Sequence, residues 1–319
     1  MKIKNYFLNN LDIHQEKYKT SLIKLGNHNV LAIIALISIG SATRVMEAGL
    51  ACPDWPLCYG NLFPLQHMNI RVFLEWFHRL DAFLVGTFIV AQFILSILWR
   101  KYLPIWLPKL YSLLLFLIIL QGSLGAPTVI NTLASLTVTA HLLIALILLM
   151  TSIFVNQNLE RIGVNSKNFN LESQFIWWKI SVIFPLLMTF VQSIIGARLS
   201  STWSAHICLD FNQNCLNLNL HRLFAIPTAI SILIPLFIAF NNKELFMTNK
   251  KLLISIFFLL ILQISLGFFS LINNLSQPFI LVSHQLIASL LIATLSALFF
   301  RKQKNAISIQ SENSKLILN

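Results

Sequence analysis

The chain has 319 residues, of which 56% are hydrophobic and only 11% are charged. Soluble domains carry about 25% charged residues, and the mean hydropathy of this chain is +0.74, so the composition predicts an integral membrane protein. A net charge of +12 would suggest nucleic-acid binding in a soluble chain. Here the lysines and arginines are confined to a few short segments, which excludes a nucleic-acid partner and leaves the lipid bilayer as the expected surrounding.

Eight apolar segments are long enough to cross a membrane, because about 20 helical residues span the hydrocarbon core of a bilayer. The predicted fold class is therefore an all-α integral membrane protein with eight transmembrane helices. The predicted spans lie near 29–46, 73–99, 106–126, 133–155, 176–197, 218–240, 251–272 and 278–300.

The distribution of lysine and arginine predicts the orientation. Eighteen of the 23 basic side chains, including all 15 lysines, fall on the side that carries both termini. Since such residues accumulate on the cytoplasmic side, the N and C termini are predicted to be cytoplasmic. The N-terminal segment lacks the features of a cleaved secretory signal. The expected location is a bacterial plasma membrane, with an internal membrane as the alternative.

A repeat divides the chain into two halves. The N-terminal histidine pair, His78 and His141, is separated by 63 residues, and the C-terminal pair, His221 and His284, by the same 63. Each half has four predicted helices, so we expect a parallel repeat of two four-helix bundles. The predicted division is a tail at 1–28, an N-terminal half at 29–155, a linker at 156–175, a C-terminal half at 176–300 and a tail at 301–319.

The four repeated histidines are candidate metal ligands, since ionisable residues within membrane helices usually mark functional sites. Neutral imidazole is a good axial ligand of haem iron, and bundle interiors hold such cofactors. Zinc would need more ligands than two histidines provide. We therefore expect one haem between the histidines of each pair. Gly125 and Gly267 occupy matching positions in the repeat and would let a flat ring or a neighbouring helix come close.

Arginines follow the same repeat. Arg79 and Arg222 come directly after a histidine, and Arg44 and Arg198 end the first and fifth predicted helices. An arginine fork suits a carboxylate, so haem propionates are the expected partners of Arg79 and Arg222. The roles of Arg44 and Arg198 are left open, and contact with lipid headgroups is the alternative for all four.

The two halves differ at one position that bears on chemistry. Glu75 lies three residues before His78, whereas Leu218 takes the matching position in the C-terminal half. A carboxylate beside a haem can accept a proton during a reaction; an ion pair with Arg79 is the structural alternative. We infer that the N-terminal half binds the species that is transformed, and that the C-terminal half holds a permanent haem that moves electrons.

The four cysteines form two close pairs, Cys52 with Cys58 and Cys208 with Cys215, on the predicted outer side. An oxidising exterior permits disulfides, and neither pair has the two-residue gap of common zinc or haem-attachment motifs. Two loop-closing disulfides are favoured, and a redox-active pair is the alternative.

Several of these motifs resemble the haem A synthase family over about residues 29–300. They are GSATR at 40–44, CPDWPLC at 52–58, QGSLG at 121–125 and the His-Arg-Leu motifs at 78–80 and 221–223. The resemblance implies oxidation of the C8 methyl group of haem O to the formyl group of haem A, which serves haem–copper cytochrome oxidase. It implies a catalytic role for Glu75, substrate-haem ligation by His78 and His141, and haem b ligation by His221 and His284.

The resemblance also implies partners: haem O synthase as the source of haem O, an electron acceptor or quinone, and assembly factors of cytochrome oxidase. A homo-oligomer is compatible with the sequence. Two other functions stay open. A dihaem b protein that oxidises quinol would hold permanent haem in both halves and have little use for Glu75. A haem carrier or transporter would place polar groups near the middle of the membrane.

Overall fold

The computed structural model describes residues 2–130, 134–162, 172–201 and 216–301. Within these ranges the chain is helical apart from its loops and one isolated β-bridge. Eight of the helices are long and apolar enough to cross a membrane, which confirms the predicted number of spans and makes the chain a multi-pass membrane protein. The helices are α1 (Lys2–Val45), α2 (Ile70–Leu98), α3 (Leu107–Ile130), α4 (Ser135–Glu160), α5 (Glu172–Ser201), α6 (Leu216–Phe240), α7 (Lys243–Ile272) and α8 (Pro278–Phe300).

The helices pack as two groups of four. In the first group α1 contacts α2 and α4, and α3 contacts α2 and α4; α5 to α8 make the corresponding contacts in the second group. The groups meet where α1 contacts α8, α4 contacts α5, and α4 contacts α8. Their buried aliphatic side chains form one continuous core cluster across both groups. Many large apolar side chains on the outer faces are exposed, as expected for helices that face lipid.

Short polar segments fix where some helices begin. The Asn69 side chain accepts hydrogen bonds from the backbone N–H groups of Arg71 and Val72 at the start of α2. Asn242 caps α7 in the same way through the N–H of Leu245, and Pro278 opens α8 at a position where no N–H is needed. These caps set the register of helices that carry candidate site residues.

The first helix extends well beyond the span predicted for it. It begins at Lys2, and its residues from 13 onward pack against the rest of the protein. Leu22 is fully buried, the Tyr18 ring stacks on Trp99 with centroids 4.5 Å apart, and Lys19 Nζ donates to the carbonyl of Ile162 at 3.2 Å. The polar residues of this segment are compatible with a helix, and Gly26 is the only glycine in it. The charged residues lower the hydropathy of this segment, which is why the predicted span began only at residue 29.

Away from the histidines, the first group of helices contains a buried polar cluster. The amide Nδ2 of Asn29 lies 3.4 Å from Oε1 of Gln92, and the hydroxyl of the fully buried Tyr111 has no hydrogen-bond partner in the described part of the chain. At the positions of the second group that match Gln92, Tyr111, Ser152 and Asn156 the side chains are apolar: Pro235, Leu253, Leu295 and Phe299. The cluster consists of Asn29, Gln92, Tyr111, Ser152 and Asn156.

Candidate functional site

Each of the four repeated histidines places its imidazole against a glycine of the preceding helix. A Cβ atom added to Gly40 would lie 2.9 Å from Cε1 of His78, which is closer than real Cβ contacts allow. The glycines therefore make room for the rings beside the helix backbone. The other Cβ-to-Cε1 distances are 3.6 Å from Gly125 to His141, 3.0 Å from Gly196 to His221 and 3.2 Å from Gly267 to His284.

Replacing Gly40 with alanine should therefore destabilise the protein, because the His78 ring must move out of a packed site; such overpacking costs about 1–3 kcal/mol. Gly122→Ala is the matched control in α3, since nothing lies within 4 Å of the added Cβ. It should be neutral or stabilising by up to about 1 kcal/mol, the helix propensity gained over glycine. Thermal melting of the purified variants measures both effects. Equal melting temperatures for the two would contradict this account of the glycines.

A glutamine lies four residues before three of these glycines. The backbones of Gln121, Gln192 and Gln263 lie against the imidazoles of the facing histidines. The amide Nε2 of Gln192 is also 3.1 Å from Nδ1 of His221, and that of Gln263 is 3.2 Å from Nε2 of His284. In α1 the corresponding residue is Leu36. The glutamines restrain three of the four rings.

The histidines come together in the pairs predicted from their spacing. The ring centroids of His221 and His284 are 6.3 Å apart and the ring planes are inclined by 74°. Two metal–imidazole bonds of about 2 Å on opposite sides of one ion would place ring centres ~6 Å apart. His78 and His141 are close enough to interact electrostatically. The spacing of the C-terminal pair would therefore allow both imidazoles to hold one iron ion.

Glu75 is buried beside the N-terminal pair, with 6% of its surface exposed, and Leu218 at the matching position is equally buried. The carboxylate accepts a hydrogen bond from Nε of Arg79 at Oε1, over 2.9 Å. The ion pair anticipated as the structural alternative is therefore present. It leaves Oε2 of Glu75 without a hydrogen-bond partner among the described residues, so the pair does not use up the carboxylate.

The loop between α1 and α2 covers this end of the first group. Arg79 Nη1 donates to the backbone carbonyls of Asp54 at 2.6 Å and Leu57 at 2.5 Å. Both carbonyls lie in the short segment closed by the disulfide between Cys52 and Cys58, whose side chains are buried. Arg79 thus joins the loop to Glu75.

The Asp54 side chain organises the same loop. Its carboxylate accepts hydrogen bonds from the N–H groups of Tyr59 at 2.6 Å and Gly60 at 2.8 Å. The bond from Gly60 is the main cause that lowers the pKa of Asp54, so the carboxylate stays ionised at neutral pH. Gly60 has a φ of +68°, a conformation that glycine adopts without strain.

Several buried polar atoms near the N-terminal pair have no hydrogen-bond partner in the described part of the chain. Buried polar groups are nearly always hydrogen-bonded, so a concentration of unpartnered donors and acceptors indicates a site for a ligand with polar groups. The atoms are Ser41 Oγ, Arg44 Nε, His78 Nδ1, Arg79 Nη2, Asp81 Oδ2, Gln121 Oε1 and His141 Nδ1.

The other predicted site residues are less informative. Arg198 and Arg222 are exposed, and Cys208 and Cys215 lie outside the described residues. Within the described ranges, no group of three or more His, Cys, Asp or Glu side chains converges as a metal site. Sequence reasoning missed Gly40 and Gly196 as neighbours of the histidines. The repeated spacing Gln-x-x-x-Gly was the signal that could have pointed to the second of them.

Fold and site together define the class: a multi-pass membrane protein with two four-helix groups, each presenting two partly buried imidazoles from its even-numbered helices. A family model described as cytochrome oxidase assembly protein matches residues 27–296. The chain belongs to that family, since the match covers far more than half of its residues.

Similar proteins agree with this assignment. The haem A synthase of Shewanella oneidensis is 26% identical over 314 residues, which cover 82% of this chain and 91% of that protein. The haem A synthase of Bacillus licheniformis is 27% identical over 194 residues, covering 59% of this chain and 61% of the other. A protohaem IX farnesyltransferase of Halobacterium salinarum is 30% identical over 112 residues, covering 35% of this chain and 24% of the other. The resemblance to haem A synthases is thereby confirmed.

Proposed function

We propose that this chain is a haem A synthase, an oxidoreductase that converts the C8 methyl group of haem O to the formyl group of haem A. Family membership and two relatives named haem A synthase support the proposal. The observation that carries it is the asymmetry of the halves. Glu75 is buried beside one histidine pair, and Leu218 is buried at the corresponding place beside the other. An electron carrier alone would have no use for that carboxylate.

The N-terminal half would bind haem O as the substrate, with His78 and His141 on its iron. The unpartnered nitrogens Arg44 Nε and Arg79 Nη2 are suited to its propionates, because a guanidinium group matches a carboxylate in shape and charge. Both arginines lie within one or two helical turns of a residue that contacts or carries the ligand imidazoles. The donor set therefore fits a haem.

The C-terminal half would hold haem b between His221 and His284. The 6.3 Å ring separation and the unpartnered Nδ1 of His284 support this assignment. With Nδ1 of His221 beside the Gln192 amide, its Nε2 is left for iron, as is usual for a ligating imidazole fixed by a hydrogen bond at its other nitrogen. Haem b bound there would carry single electrons away from the substrate site.

The residues of the N-terminal half then have distinct tasks. Oxidation of a methyl group releases protons, and Glu75 can accept one at Oε2, the oxygen that Arg79 does not occupy. Arg79 holds the carboxylate in place through Oε1 at 2.9 Å. The loop at 46–69 packs over Arg79 beside the buried Glu75. This packing limits the access of bulk water to the carboxylate.

The finer features of the fold belong to the same proposal. A two-fold axis that mapped each half onto the other would exchange the contact of α1 with α8 and the contact of α4 with α5. Both contacts are present, which supports a parallel repeat. With both termini cytoplasmic, the histidines and the Cys52–Cys58 loop would lie at the outer face of a bacterial plasma membrane. Haem O synthase, an electron acceptor or quinone, and oxidase assembly factors are the proposed partners.

The identity of the extracted haems tests this function. The protein would be purified from cells that make haem O, and its haems identified by chromatography and mass spectrometry. We expect haem B together with haem O, haem A or a hydroxylated derivative of haem O. Preparation from cells that cannot make haem O is the control, and it should contain haem B alone. Two haem B per chain in both preparations would instead favour the dihaem quinol-oxidising protein.

A further inference from the structure

One guanidinium group links the loop to the buried carboxylate. Arg79 uses Nε for Glu75 and Nη1 for the carbonyls of Asp54 and Leu57. The side chain is 14% exposed and that of Glu75 is 8% exposed, so water screens these bonds poorly. An arginine fork fixes direction as well as distance. The loop carbonyls therefore determine how Nε is presented to the carboxylate.

The segment that carries these carbonyls is closed independently of Arg79. The disulfide joins Cys52 to Cys58, and Cys58 exchanges two backbone hydrogen bonds of 3.1 Å with Asn61. Just beyond, the indole Nε1 of Trp76 in α2 donates to the carbonyl of Leu62 at 2.7 Å. The closed segment is thus a preformed acceptor for Arg79. Its covalent closure does not need the guanidinium, which adds two further hydrogen bonds to the segment.

In the C-terminal half the carboxylate end of this link is missing. Arg222 follows His221 as Arg79 follows His78, but the carboxylate four residues earlier is replaced there by Leu218. Among the described residues, the link from loop to arginine to carboxylate is seen in the half that buries Glu75. A contact that served packing or lipid headgroups alone would have no reason to accompany Glu75.

We propose that Arg79 is a positioning residue that couples the loop closed by Cys52–Cys58 to the Glu75 carboxylate. The role of that carboxylate in the reaction rests on the proposed function, whereas the coupling itself rests on the hydrogen bonds. While the loop is closed, the Asp54 and Leu57 carbonyls hold the guanidinium and Nε holds Oε1. Oε2 is then the oxygen that does not bond to Nε.

Opening the loop would release this arrangement. When an external dithiol reduces the disulfide, the S–S bond breaks, two thiols form, and the dithiol is oxidised to its own disulfide. The segment loses its covalent closure, and its two carbonyls are no longer fixed beside Arg79. The position of the Glu75 carboxylate then depends on the redox state of Cys52 and Cys58, which precede it by 23 and 17 residues in the sequence.

Hydrogen–deuterium exchange of the full-length protein in nanodiscs tests the coupling without relying on enzymatic activity. In Arg79→Gln, backbone exchange in residues 54–61 should rise at least about tenfold, because two charge-assisted hydrogen bonds are lost. Arg79→Lys keeps the charge beside Glu75 but cannot bridge in a fork, so it should exchange nearly as fast. Arg71→Gln is the matched control, since the Arg71 side chain is exposed and forms an exposed pair with Glu47 at 3.7 Å. Unchanged exchange in both Arg79 variants would overturn the proposal.

A second arm follows the reaction. Formation of the formyl product should fall about tenfold or more in Arg79→Lys, and equally in the Cys52→Ser/Cys58→Ser double variant. A lysine variant with normal product formation would show that charge alone matters, and the coupling to the reaction would be wrong while the enzyme assignment stood. The opposite outcome is also informative. If the unaltered protein makes no formyl product but the Arg79 variants still show faster exchange in the loop, the coupling holds and the proposed function fails.

Discussion

Glu75→Gln is expected to slow formation of the formyl product by about 10²–10⁴-fold, the usual contribution of a positioned general base. Glutamine has the shape of glutamate but cannot accept a proton at neutral pH. Haem binding should persist, because neither histidine pair is altered. The readouts are the haems extracted from the purified variant and its optical spectrum.

The control for this substitution is Glu47→Gln, which makes the same change in an exposed carboxylate, 56% of whose side chain is accessible, at the same end of the protein. It should leave product formation unchanged. Normal product yield from Glu75→Gln would contradict the catalytic role. If the variant lost the substrate haem as well, Glu75 would be needed for binding instead, and the ion pair with Arg79 would be its main contribution.

His221→Ala and His284→Ala should each remove the resident haem. Loss of even an outer partner of a metal ligand lowers metal affinity about 10–100-fold, and loss of an axial ligand should exceed that. Helix packing should survive, because the glycines that face both rings would only gain space. The reduced-minus-oxidised spectrum and the haem-to-protein ratio measure the result.

His67→Ala is the matched control for the histidine variants. His67 is exposed in the loop and stacks on Tyr59, with centroids 4.0 Å apart. Its removal should leave the haem spectrum as it is. A spectrum unchanged in both His221→Ala and His284→Ala would show that the C-terminal half contains no such site.

The number of spans, the pairing of the histidines and the asymmetry at Glu75 could all be predicted from the sequence. Hydropathy over some 20 residues reports membrane crossing directly. The equal spacing of His78–His141 and His221–His284 is a property of the sequence alone, so the pairing could be predicted without knowing how the helices pack. The ion pair between Glu75 and Arg79 follows from helical geometry alone.

Contacts that depend on irregular backbone or on the rotation of one helix against another could not be predicted. The carbonyls that bind Arg79 belong to a loop whose path no periodicity describes. Gly40 and Gly196 meet their histidines only because α1 and α5 turn those faces towards α2 and α6. The charged residues of the N-terminal segment lower its hydropathy, so the sequence did not predict that the first helix includes it. Its packing depends on tertiary contacts such as that of Tyr18 with Trp99.

The buried polar cluster affects how the protein assembles after its helices enter the bilayer. Inserted helices have little hydrophobic reason to associate, so packing and hydrogen bonds between them decide which neighbours they choose. Asn29, Gln92 and Asn156 supply such bonds from three helices of the first group. The second group has apolar residues at the positions that match Gln92 and Asn156, namely Pro235 and Phe299. Its side-chain bonds between helices run instead from Gln192 to His221 and from Gln263 to His284. The amide–amide bonds of the first group involve none of the four histidines, whereas those of the second group involve the imidazoles that are proposed to hold haem b. Assembly of the second group would therefore be linked to the binding of that haem.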